Sequence, residues 1–145
     1  MAEVYLLLGS NLGDRKANLK RALAMLDTAL GPRKKQSGML DNKALGFEGP
    51  DFLNCVARYR TRRRPNTILR ICKEIEYKMG RRETPEFAPD GRRIFHNRII
   101  DIDILLYCPA ATPKQSIHVD SPELTLPHPQ IESRSFVKPL LKEVL

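Results

Sequence analysis

Apolar and polar positions along this chain follow two periods, and the changes from one to the other divide it into strands and helices. Residues 2–8 read as a strand that becomes apolar on both faces at its end, which puts it in the middle of a sheet. The turn-rich stretch Gly9-Ser10-Asn11-Leu12-Gly13-Asp14 follows. A helix comes next, with Asp14 as N-cap, Leu19, Leu23, Leu26 and Leu30 on its inner stripe, and Gly31-Pro32 as its stop. Residues 33–41 are basic and weakly periodic, as a second strand near an edge would be. From Phe52 to Thr61 the alternation is clean: Leu53, Cys55, Ala57 and Tyr59 form a core face, and Phe52, Asn54, Val56, Arg58 and Arg60 a mixed one. Pro65 opens a second helix whose stripe is Ile68, Ile71, Cys72, Ile75 and Met79; Glu76 lies on its flank and Gly80 ends it.

Residues 81–96 show no periodicity and carry Pro85, Pro89, Gly91 and four arginines, the make-up expected of a long loop serving as a lid. This loop leads into Asn97–Tyr107, a β-branched run that reads as a buried strand. Ile117-His118-Val119 is a short strand candidate. Leu124 to Pro129 is extended, with His128 held between two prolines. Ser133 to Leu145 reads as a closing helix, with Phe136, Val137, Leu140 and Leu141 inward and Pro139 perturbing it.

The chemistry centres on the strand after the long loop. Residues i and i+2 of a strand point the same way, so Asp101 and Asp103 share one face, roughly 7 Å apart at the backbone, while Ile100, Ile102 and Ile104 fill the other. Buried carboxylates are costly without a cation, and magnesium suits a pair of them because water and phosphate oxygens complete its shell. A solvated face or pairing with arginine is the alternative. Strict alternation puts Arg98 opposite Asp101, so either the regular strand begins after Arg98 or a bulge re-aims it. Phe52 beside Asn54 suits a flat polar heterocycle, or simple surface decoration. Gly9-Ser10-Asn11 lacks the lysine and spacing of a phosphate loop and reads as a strand-to-helix turn.

Length and composition narrow the setting. The 145 residues fit a single domain spanning 1–145, with 41% hydrophobic and 29% charged residues. No apolar run reaches the ~20 residues of a membrane span, and Met1-Ala2-Glu3-Val4 lacks the plan of a secretory signal, so a cytoplasmic protein is expected. Cys55, Cys72 and Cys108 are widely spaced and read as reduced core thiols. The net charge of +8 implies an anionic partner. A nucleic-acid-binding module would account for the charge, but should show aromatic platforms on the middle strands, and the acid pair would repel phosphate there. A metal-dependent phosphohydrolase would need a water-activating base.

Five motifs occur in order: Leu8-Gly9-Ser10-Asn11-Leu12-Gly13-Asp14, Gly46 through Asn54, Ile75-Glu76 to Gly80-Arg81, Asn97 to Leu105, and Leu126-Pro127-His128. Together they resemble the 6-hydroxymethyl-7,8-dihydropterin pyrophosphokinase family of folate biosynthesis, over nearly the whole chain. The resemblance implies an α/β (α+β) fold, with a ferredoxin-like βαββαβ core in a three-layer αβα sandwich, an extra C-terminal helix and short strands. It implies ATP and a hydroxymethyl dihydropterin as substrates, two magnesium ions with the ATP, release of AMP, and a monomer that binds neither nucleic acid nor membrane. By resemblance Asp101 and Asp103 hold metal, and Arg81, Arg98 and His128 are catalytic. Glu76, Ile104, Thr125, His128 and Arg134 lie near ATP; Leu45, Phe52, Asn54 and Phe136 hold the pterin. The chain departs from the family pattern at Asn42-Lys43-Ala44, at Phe95-His96-Asn97 and at Pro129.

Overall fold

In chain order the elements are β1 (Ala2–Ser10), α1 (Arg15–Leu30), β2 (Lys35–Gln36), β3 (Leu40–Asn42), β4 (Phe52–Thr61), α2 (Pro65–Lys78), β5 (Glu86–Phe87), β6 (Arg93–Ile94), β7 (Asp101–Pro109), β8 (Val119–Asp120), β9 (Thr125–Leu126), α3 (Gln130–Ser133) and α4 (Val137–Lys142). They come from a computed structural model, which describes residues 1–43, 50–80, 86–87, 89–91, 93–94 and 98–145, without the side chains of 86, 87, 93 and 94. The fold is mixed α/β with an antiparallel sheet. Strand β1 lies between β4 and β7, and the short β2 and β3 both pair with the far edge of β4. The expected edge strand over 33–41 is thus split in two around Ser37, whose hydroxyl accepts from Val56 N at 2.8 Å and so takes the place of a ladder partner.

The alternation read from sequence sorts the sheet into two apolar clusters. Val4, Leu6, Leu8, Leu53, Cys55, Ala57, Tyr59, Ile102 and Ile104 pack with Leu19, Leu23 and Leu26 of α1 and with Ile68, Cys72 and Ile75 of α2. Tyr5, Leu7, Val56 and Leu105 pack with Val137, Leu140 and Leu141 of α4. Helix α1 starts where Asp14 caps it, its carboxylate accepting from Ala17 N at 3.1 Å, and ends at Gly31, which takes a φ of 96°. All three cysteines are free and buried. Burial pushes the Cys55 thiol up to about 12 and raises that of Cys72 as well, so both are protonated packing groups.

Strand β7 begins at Asp101, not at Asn97, which settles the tension over Arg98: that residue precedes the regular ladder. A bulge follows further on. Tyr5 pairs with Leu106 and Leu6 with Ile104, so Leu105 is the extra residue, and Leu105 and Leu106 both face the second cluster. No strand covers the outer edge of β7 among the described residues. Its groups find other partners: Ile102 N donates to Glu76 Oε2 (2.8 Å), Tyr107 N to Ser116 Oγ (3.1 Å), and Leu105 O and Tyr107 O accept from His128 N and Ile117 N, each at 2.9 Å.

Three further expectations need correcting. Within 81–96, β5 and β6 pair antiparallel, so the stretch is not structureless; Pro89-Asp90-Gly91 supplies the turn, with Gly91 at φ 88°. The closing helix is shorter than the expected Ser133–Leu145, since α4 runs only from Val137 to Lys142, and a one-turn α3 precedes it. Pro139 explains the late start, since proline has no N–H to give and is tolerated in a helix's first turn. The short strand expected at Ile117-His118-Val119 starts two residues later, at Val119–Asp120, paired with β9.

Candidate active site

The register places the chemistry. Across the sheet, Gly9 pairs with Asn54 on one side and Asp101 on the other, and Leu7 pairs with Val56 and Asp103. These residues share the face on which Leu7 and Val56 meet α4. Asn54 and the aspartates therefore flank the end of β1, which contributes only a glycine between Asn54 and Asp101.

That glycine is a steric requirement. A Cβ on Gly9 would stand 2.6 Å from Asn54 Nδ2 and 3.4 Å from Phe52 Cδ1. The space is used by the Asn54 amide, which donates to Leu8 O at 3.2 Å and accepts from Asn42 Nδ2 at 2.9 Å. Its orientation is thereby fixed from both ends. Gly9→Ala should push the amide off Leu8 O and destabilise the fold by roughly 1–3 kcal/mol, the usual cost of overpacking a filled space, as chemical denaturation would measure.

On the β7 side a cavity of about 260 Å³ is walled by Glu76 of α2, Arg98, Asp101, Asp103 and Ile104, and by Thr125 and His128 beyond them. Seven residues singled out from sequence thus meet at one opening. Glu76 is 6% exposed and Arg98 5% exposed, so both charged groups are held inside the wall and not waving in solvent. Burial lowers the His128 pKa below the usual imidazole range and keeps the ring neutral. Its Nδ1 accepts from Gln130 N at 3.1 Å, which assigns the ring proton to Nε2; that nitrogen lies 4.0 Å from Asp103 Oδ1. The site therefore offers, side by side, carboxylate oxygens, a guanidinium and a neutral imidazole donor, a set suited to a metal-bound polyphosphate.

Other residues named from sequence lie elsewhere. Phe52 and Asn54 are on β4, across Gly9 from the cavity. Phe136 packs against the second cluster, and the Arg134 guanidinium stacks over its ring, 4.7 Å from the centroid. Leu45 and Arg81 fall outside the described residues. The sequence reading also passed over some of the wall. Leu69 and Lys73 line the same cavity, and their spacing to Glu76 puts all three on one helix face, a signal that was present once Glu76 was placed.

The model of the family described as 7,8-dihydro-6-hydroxymethylpterin-pyrophosphokinase matches residues 5–145. The chain belongs to this family. It is 44% identical over 145 residues to the 2-amino-4-hydroxy-6-hydroxymethyldihydropteridine pyrophosphokinase of Porphyromonas gingivalis, covering 99% of this chain and 91% of that protein. A protein of the same name from Aquifex aeolicus is 39% identical, covering 98% and 80%. The mitochondrial folate synthesis bifunctional protein of Pisum sativum is 34% identical over 99% of this chain but only 25% of its own length. As a pyrophosphokinase of this family, the chain is an ATP-dependent transferase of folate synthesis, acting on hydroxymethyldihydropterin.

Proposed function

We propose that ATP occupies the cavity beside β7 with its phosphates at Asp101, Asp103 and Arg98, and that the pterin lies on the adjoining sheet face beside Phe52 and Asn54. The observation that carries this reading is the register: Asn54, Gly9 and Asp101 stand in one row. Two strand spacings separate Asn54 from Asp101, about 10 Å. That span suits a pterin read at its far edge by Asn54 with its hydroxymethyl arm turned toward the β-phosphate.

In the reaction the pterin hydroxyl oxygen bonds to the β-phosphorus, the bond from that phosphorus to the bridging α,β-oxygen breaks, AMP leaves with that oxygen, and the hydroxyl proton passes to solvent. Asp101 and Asp103 would hold magnesium, two ions with each ATP, and the donor set fits: two carboxylates on one strand, with phosphate and water left to complete the shells. Bound there, the metal would offset triphosphate charge and stabilise the charge developing on the departing oxygen. The Arg98 guanidinium faces the same charge from a buried position, and the His128 Nε2–H can donate to a phosphate oxygen. Glu76, Ile104 and Thr125 serve the nucleotide from the cavity wall, and Arg134 reaches it from its place over Phe136. Leu45, Phe52, Asn54 and Phe136 serve the pterin, its ring between the two phenylalanines. Arg81 and the 81–96 segment act as a lid over the phosphates, excluding water from the β-phosphorus.

The same proposal includes a single domain over 1–145 with a ferredoxin-like βαββαβ core in three layers. It is supported by the order β1, α1, β2/β3, β4, α2, β7 and by the separate helix-facing clusters. It takes the protein to be a cytoplasmic monomer that binds neither nucleic acid nor membrane; among the described residues no helix is long and apolar enough to cross a bilayer.

The test is to incubate the protein with ATP, magnesium and 6-hydroxymethyl-7,8-dihydropterin and separate the nucleotides. AMP should form in step with pterin pyrophosphate, cease with EDTA and resume with excess magnesium. Inorganic phosphate as the product would point to a phosphohydrolase, and tight RNA binding without AMP to a nucleic-acid module.

A further inference from the structure

Asn11 was read from sequence as part of a plain turn, yet it is 1% exposed and joins three separate stretches of chain. Its backbone N donates to Arg98 O at 2.9 Å, and its Oδ1 accepts from Arg98 N at 2.6 Å, so the residue clamps the Arg98 peptide groups from both sides. Its Nδ2 donates to Pro50 O at 3.1 Å, two residues before β4 carries Phe52 and Asn54. One amide at the end of the central strand thus holds the foot of the segment entering β7 and the foot of the segment entering β4. The side chain suits both tasks because a primary amide carries an acceptor and a donor on one planar group.

The two feet lead to different substrates under the reading given above, on which this inference rests. Arg98 stands three residues before Asp101, outside the ladder, so the sheet does not fix its height relative to the phosphates. Pro50 is gripped differently from Arg98, because its neighbour Asp51 has a second anchor: Arg15 Nη1 donates to Asp51 O at 2.9 Å. We propose that Asn11 is a positioning residue that sets Arg98 against the transferring phosphate and ties that placement to the pterin-bearing strand. It touches neither substrate and acts through the main chain at Arg98 and Pro50.

The experiment is a double-mutant cycle on kcat with Asn11→Ala, Arg98→Ala and the pair, with Arg15→Ala as a control that loosens the β4 foot and the ion pair to Asp41 of β3 without touching the bonds at Arg98. Asn11→Ala should lower kcat about 10- to 100-fold, the range expected when a catalytic group is misplaced by an ångström, with binding of a non-hydrolysable ATP analogue within about threefold. The double variant should fall no more than about threefold below Arg98→Ala, since a misplaced arginine and a missing one lose the same interaction. Arg15→Ala should raise the pterin KM and leave kcat alone. If Asn11→Ala does not fold, Asn11→Ser takes its place, its hydroxyl being too short to span both partners.

A kcat for the Asn11 variant within threefold of wild type overturns the inference, and so does a double variant that falls by the product of the two single effects, as general loosening would give. Failure of the underlying reading looks different: Arg98→Ala itself would then turn over normally.

Discussion

Replacing Asp103 by Asn should lower kcat about a thousandfold or more while the protein stays folded, and Asp101→Asn should do the same. Each carboxylate is proposed to carry part of the magnesium that offsets charge on the triphosphate, an effect worth several kcal/mol, and about 4 kcal/mol corresponds to that factor. The fold should tolerate the change. Asp103 is 38% exposed at its side chain and lies 4.0 Å from the neutral His128 ring, and asparagine keeps its size and one carbonyl oxygen. Two readouts belong together: AMP formation across a magnesium titration, and thermal unfolding followed by circular dichroism. Half-maximal magnesium should rise in both variants with Tm within a few degrees of wild type. Wild-type turnover in either would remove the metal role from that carboxylate.

Arg98→Lys should cost about a hundredfold in kcat and less than about fivefold in affinity for an ATP analogue. Lysine keeps the charge but not the planar fork, and a donor whose main use is charge developing in the transition state shows in kcat more than in binding. The side chain is 5% exposed, so a shorter, more strongly hydrated ammonium would also draw water into the wall. Single-turnover rapid quench against equilibrium analogue binding separates the two quantities. Equal losses in both would mean that Arg98 grips ATP without discriminating the transition state.

Most strands and helices were legible in the sequence because each carries its own period and its own stops. Asp14, Gly31, Pro65 and Gly80 mark helix ends by backbone chemistry that needs no tertiary context, and β4 shows its two faces plainly. The acid pair was equally legible, since two-residue spacing on a β-branched run has one geometrical meaning. What escaped was set by contacts between distant segments. The bulge at Leu105 has no sequence mark because both residues at it are leucine. The late start of the C-terminal helix was foreshadowed by Pro139, but the one-turn α3 that precedes it had no mark of its own. Asn11 looked like ordinary turn material; its partners Arg98 and Pro50 are 87 and 39 residues away, and nothing local announces them. The pairing of β5 with β6 was hidden by a stretch rich in arginine and without alternation.

The bulge has a consequence for how chain length can vary in this enzyme. Asn11 pins the main chain at Arg98, and Leu105 absorbs one residue before the ladder with β1 resumes. Deleting one residue from Ile102–Ile104 would reverse the facing of the run before the cut unless the bulge gave up its extra residue. A change of length in this short span is therefore either absorbed at Leu105 or felt at once by the acid pair.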